Sequence, residues 1–408
     1  MSMRFIKLLE HGAPSLVWPT MMAAVLVPCT GCPTALAVAI AAGTALLAVS
    51  VAVRRAGGGP RPGREAPETQ DARRLGPYTL IEKLGEGGMG VVYLARHAML
   101  RRPAAVKLLP PHRSGADSVA RFEREVQLTA RLTHPNTVRV FDFGVTRDDV
   151  FYYAMEYLEG ASLADVIAES GPMPAGRVIH ILEQIAGALA EAHRIGLIHR
   201  DIKPANIILT EQGGVPDVAK LVDFGLVKQL GAASPADQLA ASPAVTRTDQ
   251  IAGTPLYMAP EAIGTPDQID ARTDLYALGA VGYFLLTGRD VFTGRNLLEV
   301  CGHHLHSLPV PPSERLGARV PADLEALILS CLEKDPDRRP ADASSLQAAL
   351  RACGEAGSWS EAEARRWTAG HAERLRSRQR RSGASSDATF ELDLGLRAPA
   401  AGRALMAA

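Results

Sequence analysis

The pattern of apolar and polar positions changes along the chain. From Tyr78, short β-like runs (YTLIEKL, VVYLAR and AAVKLL) predict strands. Later, apolar residues recur every three or four positions, as in Val178–Ile195, which predicts helices. Strands first and helices second favour an α+β fold in which a β-rich lobe and a helical lobe flank a cleft, over about residues 78–352.

Two apolar runs near the N-terminus predict a membrane anchor in residues 1–55. Leu36–Val53 is a run of 18 residues without a charge, followed by two arginines, and reaches the lower limit for a spanning helix. A signal peptide would begin earlier and end in small residues, and a core helix would show a polar stripe. With Leu16–Val27 as a first arm, a hairpin is slightly favoured over a single span. Only residues 28–33 would then lie outside, so we expect a lipid-contacting anchor and no extracellular receptor.

The remaining flanks have a different composition. Residues 56–77 are rich in Gly, Pro and charge, which predicts a flexible linker. Residues 353–408 are charged and then poor in apolar residues, which predicts a largely disordered tail that is partly helical at 355–381.

Whole-chain composition narrows the functional classes. Apolar residues make up 47% of the chain and charged residues 22%, as in globular proteins. Lys+Arg and Asp+Glu number 44 each, and this balance argues against nucleic acid as a partner. Five scattered cysteines are too few for a disulfide scaffold, so most of the chain is expected in a reducing compartment.

A glycine-rich segment is the first candidate for chemistry. Gly85, Gly87, Gly90 and Val92 fit the spacing G-x-G-x-x-G-x-V. A dinucleotide-binding turn shares the glycine spacing but opens a helix, whereas VVYLAR is strand-like. We therefore expect a hairpin whose backbone can close over phosphates. A plain glycine turn is the alternative.

A lysine in an apolar strand is the second candidate. Lys107 lies in the run AAVKLL, and a buried lone cation is costly, so it needs an anion. The predicted helix Val119–Leu132 offers Glu125 as the partner, with Glu123 as its rival. Surface salt bridges are the alternative for both carboxylates.

Two later segments carry oxygen ligands and charges close together. The segment HRDIKPAN contains Asp201, Lys203 and Asn206, and Asp223 ends a strand-like run before Phe-Gly. A carboxylate and a side-chain amide suit Mg²⁺ bound together with phosphate oxygens. The alternative, that these are ordinary turn residues, is disfavoured by the joint pattern.

Taken in order, these motifs resemble the eukaryotic-type (Hanks-type) protein serine/threonine kinases found in bacteria, over about residues 78–352. Ala-Pro-Glu261 occurs where the family has it, and Arg339 resembles the late arginine that pairs with that glutamate. The resemblance implies a bilobal kinase fold, ATP with Mg²⁺ (or Mn²⁺) as cofactors, and phosphotransfer to Ser/Thr hydroxyls of protein substrates. It also implies a cytosolic kinase domain, held at the inner membrane by the predicted anchor.

The resemblance implies a role for each matched residue. Lys107, braced by Glu125, would hold the α- and β-phosphates, and Asp201 would accept the proton of the substrate hydroxyl or orient that hydroxyl. Lys203 would neutralise the γ-phosphate, and its place two residues after Asp201 is the Ser/Thr-kinase form. Thr254 would help to hold the substrate hydroxyl and Lys203. The implied metal ligands are Asn206 and Asp223. The implied ATP-binding positions are Leu84, Gly85, Glu86, Gly87, Gly88, Met89, Gly90, Val92, Ala105, Lys107, Met155, Glu156 and Leu158.

The chain departs from the family pattern in two places. The segment between Asp223 and Glu261 is long, and residues 231–243 within it are rich in Ala, Ser and Pro. A smaller insertion at residues 211–217 is expected to form a hairpin of no consequence.

Activation-loop phosphorylation is expected from Arg200, which directly precedes Asp201. In this family such an arginine goes with a phosphate that bridges to it. The candidate sites are Thr246 and Thr248, which lie before Thr254 at a spacing that resembles the paired activating threonines of bacterial members. The reaction could occur between two molecules, so a homodimer is a possible partner state.

The sequence disfavours two other functional classes. A catalytically dead kinase-fold scaffold usually lacks one of Lys107, Asp201, Asn206 or Asp223, and all four are present. A non-kinase nucleotide-binding membrane protein would need the P-loop G-x-x-x-x-G-K-[ST], which the sequence does not contain. An active membrane-anchored kinase is therefore favoured.

Overall fold

The structure, a computed structural model, describes residues 74–87, 90–109, 116–146, 150–224 and 254–383. Its first lobe is an antiparallel sheet with the strand order β1-β2-β3-β4-β6-β5. The strands are β1 (Arg74–Leu75), β2 (Tyr78–Gly87), β3 (Gly90–His97), β4 (Pro103–Leu108), β5 (Val140–Val145) and β6 (Phe151–Glu156). The three strands predicted from the apolar runs correspond to β2, β3 and β4 and are confirmed.

One helix, α1 (Ala116–Ala130), packs on this sheet beside β5. It corresponds to the predicted helix and buries Val126 in an apolar cluster that also contains Ala105 and Met155. The helix that carries Glu125 therefore packs on the same side of the sheet as the β4 residue Ala105.

The second lobe is mainly helical, as predicted. A small antiparallel sheet contains β7 (Gly160–Ser162), β8 (Ile207–Gln212) and β9 (Val215–Leu221). The helices are α2 (Leu163–Ser170), α3 (Ala175–Arg194), α4 (Pro260–Gly264), α5 (Arg272–Thr287), α6 (Leu297–His306), α7 (Pro312–Leu316), α8 (Ala322–Cys331), α9 (Ala343–Ala352) and α10 (Glu361–Gly383).

Helix α5 forms the centre of this lobe because nearly all of its residues are buried, on every side of the helix. Two glycines permit close packing around it. A Cβ on Gly279 would lie 2.5 Å from Cβ of Cys331, and one on Gly282 would lie 2.8 Å from a methyl of Leu182. Helices α3 and α8 therefore approach α5 closely, and α5 becomes a rigid support for whatever bonds to it.

The first sheet extends slightly beyond the predicted N-terminal boundary of the kinase domain. Arg74 and Leu75 form β1, pair with β2 and were assigned to the linker by the sequence. Leu75 is fully buried because its side chain extends the apolar cluster on one face of the sheet. The predicted anchor and most of the linker, residues 1–73, lie outside the described residues. Within the described ranges, no helix combines the length and apolar character needed to cross a bilayer.

Residues beyond the predicted C-terminal boundary, in the segment predicted to be partly helical, also pack on the second lobe. Residues 361–383 form α10, which contacts α2 and β9 of the second lobe. Ala364 and Leu375 are buried, and Trp367 packs against the main core. Part of the charged segment is thus an integral helix, because a few apolar residues at helical spacing suffice to dock it. Residues 384–408 lie outside the described residues.

A buried ion pair joins this extension to the second lobe. Asp217 accepts two hydrogen bonds from Arg177, at 2.8 and 2.9 Å, and a third from the indole N–H of Trp359 at 2.8 Å. The guanidinium also lies 3.8 Å from the ring centroid of Trp367. Asp217 belongs to the insertion that we expected to have no consequence. That hairpin forms, but its Asp217 is an essential partner of a fully buried arginine.

We predict that Asp217→Asn lowers the free energy of unfolding by roughly 3 kcal/mol, because it leaves a buried guanidinium without its counter-charge. The matched control is Glu183→Gln. Its partner Arg351 is 59% exposed, and loss of an exposed pair costs at most about 1 kcal/mol. Urea unfolding of both variants measures the difference, and equal losses would contradict a structural role for the Arg177–Asp217 pair.

Candidate active site

The glycine segment forms the predicted hairpin. Gly87 and Gly90 are paired at the end of β2 and β3. Gly90 has φ +118°, and a Cβ there would lie 2.0 Å from the carbonyl oxygen of Leu108. Only glycine fits this position, so β3 can cross β4 closely at the mouth of the cleft. Gly88 and Met89 lie outside the described residues. Glu86 is exposed and its carboxylate pairs with Lys83.

Behind the hairpin, five predicted ATP-binding positions contribute to one apolar cluster. Ala105 lies directly opposite Met155 in the register of β4 and β6. Both are buried, and three partly buried residues, Leu84, Val92 and Leu158, pack against the same cluster. These side chains come from β2, β3, β4, β6 and the segment after β6, so the fold assembles an apolar wall from distant parts of the chain. Such a wall suits the flat face of a nucleotide base.

The predicted hinge follows this wall. Glu156 ends β6, and its carboxylate is held by the buried Lys220 at 3.1 Å and by Gln212 at 2.9 Å. The side chain therefore faces β8 and β9. The predicted reading of adenine by residues 156–158 consequently concerns the backbone and stays a prediction.

The acidic loop gathers three predicted residues around one carboxylate. Oδ2 of Asp201 accepts from Nζ of Lys203 at 2.9 Å and from the side-chain amide of Asn206 at 3.0 Å. The same amide donates to the carbonyl of Asp201 at 2.8 Å. Asp201 is buried, so these hydrogen bonds satisfy its carboxylate and fix its orientation.

The position of this loop depends on Asp274, whose role the sequence did not indicate. Oδ2 of Asp274 accepts from the backbone N–H of His199, Oδ1 accepts from that of Arg200, and His193 lies 2.8 Å from Oδ2. Burial alone would raise the pKa of Asp274, but the His193 contact and the other donors outweigh it and lower the pKa. Because Asp274 lies on α5, the loop is anchored to the rigid centre of the second lobe. Arg200 also has φ +63°, which this anchoring supports.

Asp223, which follows β9 of the second lobe, is held by two donors from the first lobe. Nζ of Lys107 lies 2.8 Å from Oδ2, and the hydroxyl of Tyr153 donates to Oδ1 at 2.7 Å. Burial would raise the pKa of Asp223, but the Lys107 charge and these hydrogen bonds lower it overall. Asp223 has φ +59°, so the chain turns sharply here, as expected for the residue before Phe-Gly. The sequence patterns did not single out Tyr153.

The predicted pair between Lys107 and Glu125 is wrong for the conformation observed. In the described part of the chain, Lys107 forms its ion pair with Asp223 and none with Glu125. Burial raises the pKa of Glu125 to about 7, and the charge of Arg200 only partly opposes this. Asp223 is kept in reach of Lys107 by a second donor, the Tyr153 hydroxyl, which binds its other oxygen.

The donor set fits a divalent cation. Asn206 uses its amide N–H₂ group on Asp201, and among the described contacts no donor reaches its Oδ1. That oxygen and the carboxylate of Asp223 are the hard ligands that Mg²⁺ takes. The predicted ligands therefore match the chemistry of the ion.

Of the other predicted positions, Glu261 and Arg339 are joined. Arg339 binds Glu261 through two hydrogen bonds at 2.7 and 2.8 Å, and Thr273 donates to the same carboxylate. The expected late arginine pair is confirmed. The backbone of Thr254 begins a short 3₁₀ turn, Thr254–Tyr257, whereas Thr246 and Thr248 lie outside the described residues.

Comparison with known proteins agrees with this geometry. The protein kinase domain family matches residues 78–350. The chain is 40% identical over 278 residues to the serine/threonine-protein kinase pkn3 of Myxococcus xanthus, covering 67% of this chain and 49% of the relative. It is 38% identical to PknB of Mycobacterium leprae, covering 67% and 42%. The match thus spans about half the length of these relatives or less.

Solved structures give the same result. The Mycobacterium tuberculosis PknI kinase domain aligns with a TM-score of 0.53 and 28% identity, over 69% of this chain and 98% of that one. Rad53 1-466, crystallised with AMP-PNP, aligns with a TM-score of 0.53 and 26% identity, over 66% of this chain and 64% of that one. The fold and site define a protein kinase. The chain belongs to the protein kinase domain family, among the bacterial Hanks-type serine/threonine kinases.

The unusual state of Glu125 leads to a pH prediction. Its folded pKa, about 7, exceeds its ordinary value of 4.5, so the folded protein binds more protons between these values. Wild-type stability from this group is therefore present below about pH 4.5 and is lost as pH rises through about 7. Glu125→Gln removes this loss, so its melting temperature relative to wild type should rise from about pH 5 to about pH 8.

The control for this measurement is Glu123→Gln, on the same helix but exposed. Differential scanning calorimetry without nucleotide measures both variants. A difference in melting temperature between wild type and Glu125→Gln that stays flat over this pH range would contradict the account of Glu125.

Proposed function

We propose that this protein transfers the γ-phosphate of ATP to serine and threonine hydroxyls of protein substrates. The single observation that carries the proposal is the convergence of Lys203 and Asn206 on the buried carboxylate of Asp201. An acid in this setting is positioned to meet an incoming hydroxyl, and the adjacent lysine supplies positive charge where phosphate charge shifts. The similarity to the pkn3 and PknB serine/threonine-protein kinases supports the same reaction.

The chain's residues divide the reaction between the two lobes. Asp201 orients the substrate hydroxyl or accepts its proton, and Lys203 neutralises charge on the transferred phosphoryl group. Lys107 leaves Asp223 to hold the α- and β-phosphates. The apolar wall around Ala105 and Met155 receives the adenine.

The metal role belongs to Asn206 and Asp223. The fit of their oxygens supports Mg²⁺, with Mn²⁺ as an alternative of similar ligand preference. When bound, the ion neutralises phosphate charge and orients the phosphates. Asn206 belongs to the segment HRDIKPAN and Asp223 to the turn after β9. The distance between these two ligands therefore depends on how the two segments are held.

We also propose that autophosphorylation at Thr246 or Thr248 activates the enzyme, by reaction between two molecules. Two features support this proposal. Arg200 lies directly before Asp201, where phosphate could bridge to it. In addition, Lys107 is paired with Asp223 while Glu125 is left half-buried, an arrangement that must change before Lys107 can hold phosphates and be braced by Glu125.

Membrane anchoring through residues 1–55, with the kinase on the cytosolic side, is a further proposal that rests on the apolar run Leu36–Val53 and the arginines after it. Reporter fusions at residue 2 and after residue 56 test it. A cytosolic signal from both positions supports the hairpin, an outside signal at residue 2 alone indicates a single span, and an outside signal after residue 56 contradicts the proposal.

The activity proposal predicts that Asp201→Asn, Asp223→Ala and Lys107→Met each lower phosphotransfer at least about a hundredfold, because each removes a charge that this reaction uses. Radiolabelled ATP and a generic protein substrate measure the rate. Glu183→Gln, which removes a carboxylate on α3 that pairs with Arg351 of α9, is the control and should retain the wild-type rate.

Mass spectrometry of the same reactions tests the regulatory part. Phosphopeptides that contain Thr246 or Thr248 should form in the wild type and be absent in Asp201→Asn. Near wild-type turnover in Asp223→Ala would overturn the assignment of the active site, whereas active enzyme without phosphate on either threonine would overturn only the activation proposal.

A further inference from the structure

Tyr153 is a buried polar residue of the cleft with no part in the proposed phosphotransfer steps. It lies on β6 directly opposite Lys107 of β4 in the antiparallel register. Directly opposed residues project from the same face of a sheet, so both side chains reach the same region. They meet at Asp223, with Lys107 on Oδ2 at 2.8 Å and Tyr153 on Oδ1 at 2.7 Å.

The hydroxyl of Tyr153 would be left without a hydrogen-bond acceptor if it lost Asp223. The side chain is almost completely buried, within the apolar cluster that includes Met155 and Val126. A buried hydroxyl without a hydrogen bond is costly, and a charged acceptor makes the bond stronger than a neutral one. Among the described residues, Asp223 is the acceptor that this hydroxyl reaches.

The two donors on Asp223 differ in how easily they can leave. Lys107 has a flexible four-carbon side chain, and nucleotide phosphates compete for its charge. Tyr153 has a rigid ring that is fixed by packing on strand β6. Loss of the lysine therefore frees one carboxylate oxygen, while the phenol stays bound to the other.

We propose that Tyr153 is a positioning residue: it retains Oδ1 of Asp223 while Oδ2 passes from Lys107 to the divalent cation that arrives with the nucleotide. This proposal rests on the proposed metal role of Asp223. The Tyr153 hydrogen bond supplies orientation that the turn before Phe-Gly would otherwise lack, so the cation finds a carboxylate already aimed at it.

Tyr152 supplies a matched control within the same strand. It is as buried as Tyr153 but faces the opposite side of the sheet, in a separate apolar cluster with Leu75 and Val106. Removing its hydroxyl changes the same chemical group in the same strand without touching Asp223.

The test compares Tyr153→Phe and Tyr152→Phe by titrating a fluorescent, non-hydrolysable ATP analogue in magnesium chloride and in EDTA. In wild type and in Tyr152→Phe, magnesium should raise the affinity. In Tyr153→Phe that gain should shrink about tenfold, the effect of losing one charge-assisted hydrogen bond, while the affinity in EDTA stays within about twofold of wild type. In turnover assays, the concentration of magnesium at half-maximal rate should rise more than kcat falls.

The proposal is overturned if magnesium raises the affinity of Tyr153→Phe for the analogue as much as it does for wild type, since the phenol would then only fill the core. It is also overturned if magnesium raises that affinity more than in wild type, since the phenol would then hold Asp223 away from the cation. A wild-type protein without any magnesium gain overturns the metal role of Asp223 first and this proposal with it. The two failures are thus distinguishable, because only the second one appears in wild type.

A measurement on the wild type covers the case in which Tyr153→Phe does not fold. With isotope-labelled tyrosine, the Tyr153 hydroxyl proton should be visible by NMR as a slowly exchanging signal, because it is buried and hydrogen-bonded. The proposal requires that this signal persists when magnesium and the analogue are added. Its loss on addition would show that Tyr153 releases Asp223 and would overturn the proposal.

Discussion

The catalytic loop depends on one buried carboxylate. Asp274 lies on a helix that is buried on all sides, where an unpaired charge would be very unfavourable. Its oxygens are satisfied by the backbone of His199 and Arg200 and by the side chain of His193. Because an unpaired Asp274 would be unfavourable, its hydrogen bonds to His199 and Arg200 hold the loop in place. Asp201 follows these two residues and is held with them. A second buried pair, Arg339 with Glu261, ties the segment after the activation loop to the same helix through Thr273.

The two acidic residues of the cleft, Asp201 and Asp223, are held in different ways. Asp201 is surrounded by donors from its own short loop, so its position changes little with the state of the other lobe. Asp223 instead receives a donor from each of two strands of the first lobe. In this conformation the ion pair of Lys107 is with Asp223 and not with Glu125. The site thus combines one carboxylate held by its own loop with one held by the other lobe.

The sequence predicted the parts of this architecture that short-range patterns determine. Strands β2 to β4, the hairpin at Gly90 and the grouping of Asp201, Lys203 and Asn206 each follow from residues within one segment. The observed partner of Lys107 could not be predicted, because Asp223 is 116 residues away and only the fold brings it to Lys107 and Tyr153. The sequence does contain an indication for Tyr153. It precedes Met155 by two residues, and alternation along a strand places both side chains on the same face of the sheet.

Packing beyond the predicted domain boundaries could not be predicted from composition either. Composition identified residues 353–383 as charged, but docking of a helix depends on a few contacts and not on its average polarity. Ala364, Trp367 and Leu375 supply those contacts, and Asp217 with Arg177 supplies the polar anchor beside them. The insertion that carries Asp217 and the segment that carries Trp359 are joined by a hydrogen bond between these two residues. Each satisfies a buried polar group of the other, so neither segment could be interpreted alone.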